Sequence, residues 1–366
     1  MAHTLNDYLT LLERESLLAA PVPADLDREQ PIALVSCDSR TVVPGTLFVC
    51  KGAHFKAEFL DMAQSRGAVA YASEKRWPDS PLPCILLSDL RRAMALMADL
   101  CYDHPSGKLK VIGFTGTKGK SSATYYLKSV LDAYRSRQGK GETGVISSID
   151  TYDGAERFES HLTTPEPLDL QRHLAHAAQA GLEYLTMEVS SQALKYHRSL
   201  CTEFAAACFL NIGYDHISPI EHPDFQDYFT SKLKIFGQAQ VNCVNLDCDH
   251  APEVLAAAQA AGKPVITFSQ KNPQADVYAS SVRKEDGQTV FQVRTPSYER
   301  EFRLTMPGLF NVENALGVIA VCEALHIPDW AVYDGLVRAR VPGRMEVFSN
   351  ADGSVQAIVD YAHNRL

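Results

Sequence analysis

Between Val111 and Asp132 the chain reads VIGFTGTKGKSSATYYLKSVLD. An apolar run leads into a turn of small residues and glycines, and apolar positions of helical period follow at Tyr125, Leu127, Val130 and Leu131. Strand, glycine turn and helix together form a loop that can hold phosphate. Its backbone N–H groups and helix N-terminus supply positive potential, Lys120 adds a point charge, and the Ser121 hydroxyl can ligate Mg²⁺. The spacing G-x-x-x-x-G-K-[ST] would put its first glycine at position 114, which is Phe114. The loop is therefore read from Gly116 through Thr117, Lys118, Gly119, Lys120, Ser121 and Ser122. An ordinary glycine-containing βα turn is the plainer alternative.

Two more stretches carry groups that could do chemistry. In TMEVSSQALKYHR, Glu188 ends an apolar run, a costly place for an acid unless it meets a cation. In NIGYDHISPIEHPDFQDYFTSKLKIF, Asp215, His216, Lys232 and Lys234 lie around a loop and the helix after it. A carboxylate, an imidazole and a hydroxyl converging on a Mg²⁺-nucleotide suit phosphoryl transfer, in which a protein mainly positions groups and neutralises charge. A structural ion pair beside a surface loop is the alternative.

Elements must bring these groups together. From Lys108 to about Arg340, the strand-like runs Val111–Phe114, Tyr184–Val189, Phe204–Ile212, Cys243–Asn245 and Val265–Phe268 alternate with helical patterns. That alternation predicts a largely parallel sheet clothed in helices, with ligands at the carboxyl ends of the strands. Glu188 and the Asn211–His216 segment should then face the phosphate loop across one crevice. Ahead of this region lie short runs at Ile32–Val35, Leu47–Val49, Ala68–Tyr71 and Ile85–Leu87, a helix near Leu90–Tyr102, and a linker at Asp103–Gly107. After Pro342-Gly343-Arg344 another strand is read at Ala357–Tyr361. The division expected is 1–105, 106–341 and 342–366.

Composition narrows the class. Hydrophobic residues make up 46% and charged residues 22% of 366, values of a globular protein with a sizeable core. The net charge of −9 argues against a nucleic-acid partner gripped by a broad basic face. Nine cysteines without C-x-x-C pairing fit neither a zinc site nor a disulfide framework, so a reduced interior is expected. No apolar run reaches membrane-spanning length, and MAHTLNDYLTLLERESLL lacks a basic leader region, so a cytoplasmic, non-embedded protein is expected.

Taken in order, these segments resemble the Mur ligases. The likeness is carried by DSRTVVPGTLFVCKGAHFKAEFLDMAQSRGAVA (38–70), GFTGTKGKSS, TTPEPLDLQ (163–171), MEVSSQALKYHR, the NIGYDH…KLKIF run, GLFNVENALG (308–317), VPGRMEV (341–347) and VDYAHN (359–364). It implies an α/β chain with an N-terminal α/β domain that binds a UDP-sugar and a P-loop central domain with a mainly parallel sheet. A third, Rossmann-like domain should begin near Arg344, and only about its first strand falls within 366 residues. The implied reaction is ATP-dependent amide ligation in peptidoglycan synthesis. ATP phosphorylates the D-glutamate carboxylate of UDP-MurNAc-L-Ala-D-Glu, and the amine of a diamino acid, L-lysine or meso-diaminopimelate, attacks the acyl phosphate.

The resemblance also implies roles, position by position. Residues Gly116 to Ser122 would cradle the ATP phosphates, with Ser121 and Glu188 on a first Mg²⁺ and His216 on a second. Lys232 matches a lysine carried as a carbamate, which bridges toward the metal as an anion. Ser39 and Arg40 would meet the uridine diphosphate end, and Thr163, Thr164, Ser190, Gln192 and Arg198 the muramoyl and diphosphate groups. Asn311, Arg344 and Asp360, with His363 beside them, would meet the adenine and ribose of ATP. Lys118 and Gln192 stand where many relatives carry Asn and His. A monomer is expected. With most of the third domain outside the sequence, binding without turnover is expected. The competing readings are a folylpolyglutamate or cyanophycin synthetase and a non-catalytic nucleotide-binding module.

Overall fold

The computed structural model describes residues 3–24, 26–52, 54–344, 346–350, 352 and 354–360, with the backbone alone for Val347. The chain divides into two compact units. One comprises residues 1–105, 165–175 and 196–201, and the other 106–164, 176–195 and 202–366.

In the first unit, α1 (Leu5–Arg14) precedes β1 (Leu34–Ser36), β2 (Thr46–Val49), α2 (Ala57–Ser65), β3 (Ala68–Ser73), β4 (Cys84–Leu86) and α3 (Leu90–Cys101). The strands form a parallel sheet in sequential order. Successive side chains on a strand point to opposite faces, so Leu47, Val49, Ala70 and Ala72 join the core under α1 and α3. Phe48 and Tyr71 join the one under α2. Asp89 caps α3 by accepting from the Arg92 backbone N–H at 3.0 Å. The stretch read as a linker is a tight turn followed by a 3-10 helix, Pro105–Lys108. A later part of the chain completes this unit. Leu168 joins the α1/α3 core, and Glu166 pairs with Lys51 at 2.7 Å and Arg198 at 2.9 Å.

The second unit opens with β5 (Lys110–Thr115), α4 (Lys120–Ser136), β6 (Gly144–Ile146), β7 (Asp150–Tyr152) and β8 (Arg157–Glu159). Then come α5 (Pro167–Gln179), which contributes to both units, β9 (Tyr184–Glu188), α6 (Ser191–Lys195), β10 (Phe204–Phe209) and α7 (Phe225–Leu233). They are followed by β11 (Asn242–Asn245), α8 (Ala251–Ala260), β12 (Val265–Ser269), β13 (Val277–Glu285), β14 (Gln288–Arg294) and β15 (Glu299–Leu304). The last elements are α9 (Asn311–Ala324), α10 (Asp329–Arg338), β16 (Glu346–Ser349) and β17 (Gln356–Val359). Among the described residues, β5 to β15 form one eleven-stranded sheet in the order β15-β14-β13-β12-β11-β10-β5-β9-β6-β7-β8.

The stretch from β13 to β6 is parallel throughout, and antiparallel strands extend it at both edges. The α/β class and mainly parallel sheet expected from the sequence are what the structure has. The antiparallel edges were not read, although Asp286-Gly287 carried the signal. Both residues have positive φ, +51° and +76°, as a two-residue hairpin turn between β13 and β14 requires.

Buried α4 residues Tyr126, Leu127, Val130 and Leu131 share a core with β5 and α9. Helix α10 crosses α4 at Gly335, whose carbonyl accepts from Ser129 Oγ at 2.8 Å. A Cβ there would lie 2.3 Å from Val130 Cα, so the crossing requires glycine. The strand read at Ala357–Tyr361 is β17. It pairs antiparallel with β16, whereas sequence reasoning left it without a partner. Asn350 closes that hairpin, its Oδ1 accepting from Val355 N at 3.0 Å. No helix of the described residues is long and apolar enough to cross a membrane.

Candidate active site

Register brings four strand ends together in the second unit. Phe114 lies opposite Glu188, Thr115 opposite Phe209 and Ile146 opposite Met187, so β10, β5, β9 and β6 finish side by side. The segments after them, 116–122, 148, 188–192 and 211–216, meet at the carboxyl edge of a parallel sheet, the usual ligand position in such folds.

The glycine loop runs directly from β5 into α4. Gly119 has φ +81° immediately before the first helical residue, and a Cβ on it would lie 2.1 Å from Asn314 Oδ1 of α9. Conformation and space both demand glycine here. Asn211 ties the loop down from β10. Its Oδ1 accepts from Lys118 N at 2.9 Å, its Nδ2 donates to Lys118 O at 3.1 Å, and its carbonyl accepts from Thr117 N. Thr117 Oγ1 lies 3.0 Å from the Tyr228 hydroxyl of α7 and accepts from Gly213 N at 2.9 Å.

Two lysines converge on one carbonyl of this loop. Lys120 is half-buried and turns back, donating to Gly116 O at 3.0 Å and Thr117 O at 3.2 Å. Lys232, 1% exposed, donates to the same Gly116 O at 2.9 Å and sits 4.7 Å from the Tyr228 ring centroid. Burial pushes the pKa of Lys120 down, Arg344 adds to that push, and the carboxylates of Glu188 and Asp215 oppose it. Burial pushes Lys232 well below the ordinary lysine value, the neighbouring Lys120 charge works in the same direction, and Asp215 opposes. A helix lysine is ordinarily solvated; this one is held in the core as a poor cation.

Glu188 is 1% exposed and its Oε1 accepts from Ser148 N at 2.8 Å and Ser148 Oγ at 2.9 Å. Ser148 Oγ lies 3.2 Å from Ser121 Oγ, so a buried carboxylate and the loop hydroxyl are linked through one serine. His216 is exposed on the loop after β10, at φ +55°, with Nδ1 3.2 Å from Glu221 Oε2. Ser121, Glu188 and Asp215 offer hard oxygen donors of the kind Mg²⁺ takes, beside N–H groups and an ammonium suited to phosphate.

The remaining residues singled out in the sequence fall as follows. Thr164 is fully buried in the second unit; its Oγ1 donates to Glu188 O at 2.9 Å and accepts from Ser190 N at 3.1 Å. Thr163 is half-buried beside it, and Gln192 Nε2 donates to Glu221 Oε1 at 3.2 Å. Asn311 is buried, with Nδ2 on Pro307 O at 2.8 Å and Oδ1 accepting from Asn314 Nδ2 at 3.1 Å. Arg344 is half-buried and Asp360 exposed; His363 lies outside the described residues. In the first unit, Ser39 is 7% exposed, Arg40 is exposed and forked onto Asp38 at 2.7–3.1 Å, and Arg198 is held by Glu166.

Sequence reasoning missed Ser148, Tyr228 and Asn314. Ser148 could be found only from the β6–β9 register. Tyr228 stands four residues before Lys232, one helical turn away on the same face, a spacing that was legible.

Residues 114–322 match the Mur ligase middle domain. The chain is 38% identical over 367 residues to the UDP-N-acetylmuramoyl-L-alanyl-D-glutamate–L-lysine ligase of Enterococcus faecalis, spanning 96% of this chain and 71% of that protein. It is 36% identical over 389 residues to the UDP-N-acetylmuramyl-tripeptide synthetase of Bifidobacterium longum, spanning all of this chain and 73% of that one. Among solved structures, a UDP-N-acetylmuramoyl-L-alanyl-D-glutamate–2,6-diaminopimelate ligase superposes with a TM-score of 0.79 at 23% identity, over 99% of this chain and 72% of the other. The MurF ligase of Thermotoga maritima in complex with ADP superposes with a TM-score of 0.60 at 17% identity, over 89% and 70%.

Proposed function

The chain belongs to the Mur ligase family, and from that premise we propose that it is an ATP-dependent amide ligase of peptidoglycan precursor synthesis. Its acceptor is UDP-MurNAc-L-Ala-D-Glu and its amine donor is a diamino acid. One observation carries the reading: Lys120, Ser121, Ser148, Glu188 and Lys232 gather around a glycine loop at the ends of adjacent parallel strands. A carboxylate is a poor electrophile until phosphate becomes its leaving group, and the donors gathered here suit that activation.

Family membership and the gathering of these groups support the following roles. Residues Gly116 to Ser122 receive the ATP phosphates, and Lys120 leaves the carbonyls of Gly116 and Thr117 to neutralise the transferring phosphoryl group. Ser121 and Glu188 would hold one Mg²⁺ and His216 another, supplying charge neutralisation on the nucleotide oxygens. Lys232 is suited to carbamylation, because CO₂ adds only to a neutral amine and burial favours that form. Thr163, Ser190, Gln192 and Arg198 meet the muramoyl and diphosphate groups, with the buried Thr164 holding the Ser190 backbone rather than touching the ligand, and Ser39 and Arg40 meet the uridine diphosphate end. Asn311, Arg344 and Asp360 serve the adenosine side. Such substrates place the work in the cytoplasm; residues 1–105, with 165–175 and 196–201 grouped with them, would form the sugar-nucleotide portion, the rest of 106–341 the ATP-binding portion, and 342–366 the start of a third domain.

Calorimetry and product analysis test this. The chain should bind Mg·ADP and UDP-MurNAc-L-Ala-D-Glu, and Lys120→Ala should weaken Mg·ADP at least tenfold with an unchanged melting temperature. ADP release that requires both the dipeptide nucleotide and a diamino acid would support ligation. No binding of either nucleotide would end the proposal.

A further inference from the structure

Beside the site lies a polar chain, buried at His222 and Ser191 and part-exposed at Asp227 and Lys195, with no part in the roles above. His222 is fully buried. Its Nδ1 lies 2.5 Å from Asp227 Oδ2 on α7, and its Nε2 lies 2.9 Å from Ser191 Oγ, the first residue of α6. Burial lowers the pKa of His222 against the pull of Asp227. Hydrogen bonds from Lys195 and His222 hold Asp227 as an anion, its pKa lowered despite its own desolvation. A carboxylate can only accept, so Nδ1–H donates to Asp227, and the neutral ring's Nε2 accepts from the Ser191 hydroxyl. Both ring nitrogens are satisfied.

The order carboxylate, imidazole, serine is the one that activates a nucleophile in hydrolases. Here Ser191 is 3% exposed and His222 fully enclosed, so no substrate atom reaches the hydroxyl and the chain must act mechanically. The groups it joins are informative. Ser191 follows the β9–α6 turn, in which Glu188 O and Ser190 N are both held by Thr164 Oγ1. Asp227 lies on α7, five residues before Lys232, whose Nζ reaches Gly116 O. Lys195 of α6 repeats the link, donating to Asp227 Oδ2 at 2.7 Å and Glu221 O at 3.0 Å.

We infer that His222 is a positioning residue. By bridging Ser191 to Asp227 it fixes the β9–α6 turn, with Glu188 and Ser190, against the helix that carries Lys232. This rests on the ligase reading, since only that reading gives those residues ligands. A hydrogen-bond network anchored on buried groups transmits position when every partner is present; one with a partner removed relaxes.

The test is a double-mutant cycle of Ser191→Ala and His222→Gln in the full chain, read by calorimetry and melting. Each single variant should weaken UDP-MurNAc-L-Ala-D-Glu roughly tenfold and abolish most of the gain in ADP affinity that Mg²⁺ provides. Mg²⁺-free ADP binding, which uses the glycine loop and the adenosine side but neither Glu188 nor His216, should stay within twofold. The double variant should lose no more than the worse single variant, since the two residues act as one unit. Ser191→Thr, which keeps the hydroxyl, should restore binding. A purely structural role would lower melting temperatures and leave the affinities of the folded molecules unmoved, and that result overturns the inference, as do additive losses. If His222→Gln does not fold, the Ser191→Ala and Ser191→Thr contrast decides alone. A parent chain that binds neither nucleotide overturns both readings; a parent that binds, with variants that match it, overturns this one only.

Discussion

Lys232 shows at the scale of one residue how a site is maintained against stability. Its folded pKa lies well below the ordinary lysine value because burial and Lys120 disfavour the charge. For a base with a lowered folded pKa, the unfolded chain binds more protons, so the ammonium costs stability below the unfolded pKa. The cost fades as pH climbs toward about 10. Each unit of lowering is worth about 1.4 kcal/mol. Lys232→Met should therefore raise the melting temperature at pH 7 in carbonate-free buffer. The gain should shrink as the pH approaches 10, and a variant that melts lower at pH 7 would contradict this account. Gly119 poses the opposite constraint. Gly119→Ala meets both an unfavourable φ and Asn314 Oδ1, so Mg·ADP affinity should fall at least tenfold by calorimetry. Adding Asn314→Ala frees the space without changing φ, and should recover only part of the loss.

Among elements, the α4–α10 crossing holds the helix that begins at the glycine loop. Gly335 lets the backbones approach so closely that Gly335→Ala forces Val130 aside. Overpacking of that kind costs about 1–3 kcal/mol, to be seen as a lower denaturation midpoint with an unchanged slope. A midpoint equal to the parent's would mean that the helices part freely. The strand–loop–helix unit at 111–132 was legible in the sequence because its period, its glycines and its Lys-Ser pair all point the same way. The antiparallel hairpin of β13 and β14 does carry a sequence signal, the Asp286-Gly287 turn. The partner of β17 was missed since Glu346–Ser349 is too short a run to show a period.

For the whole molecule, the two units have separate cores, and the first is closed by a segment distant in sequence. Leu168→Ala should speed amide exchange in β1 to β4 and leave β5, β9 and β10 unchanged; equal effects on both would contradict separate cores. The β16–β17 hairpin, exposed along β17 and paired with no third strand among the described residues, should exchange with the fastest amides of those residues. The sequence alone determined the α/β class, the glycine loop with Lys120 and Ser121, and the neighbourhood of Glu188 and the segment after β10. These are local matters of period and residue type. Tertiary structure decided what stands beside what. The β6–β9 register set Ser148 between Ser121 and Glu188, α7 drove Lys232 into the core until its charge became costly, and residues 165–175 and 196–201 joined the first unit's fold. Such pairings depend on register and burial, which no spacing along the chain encodes.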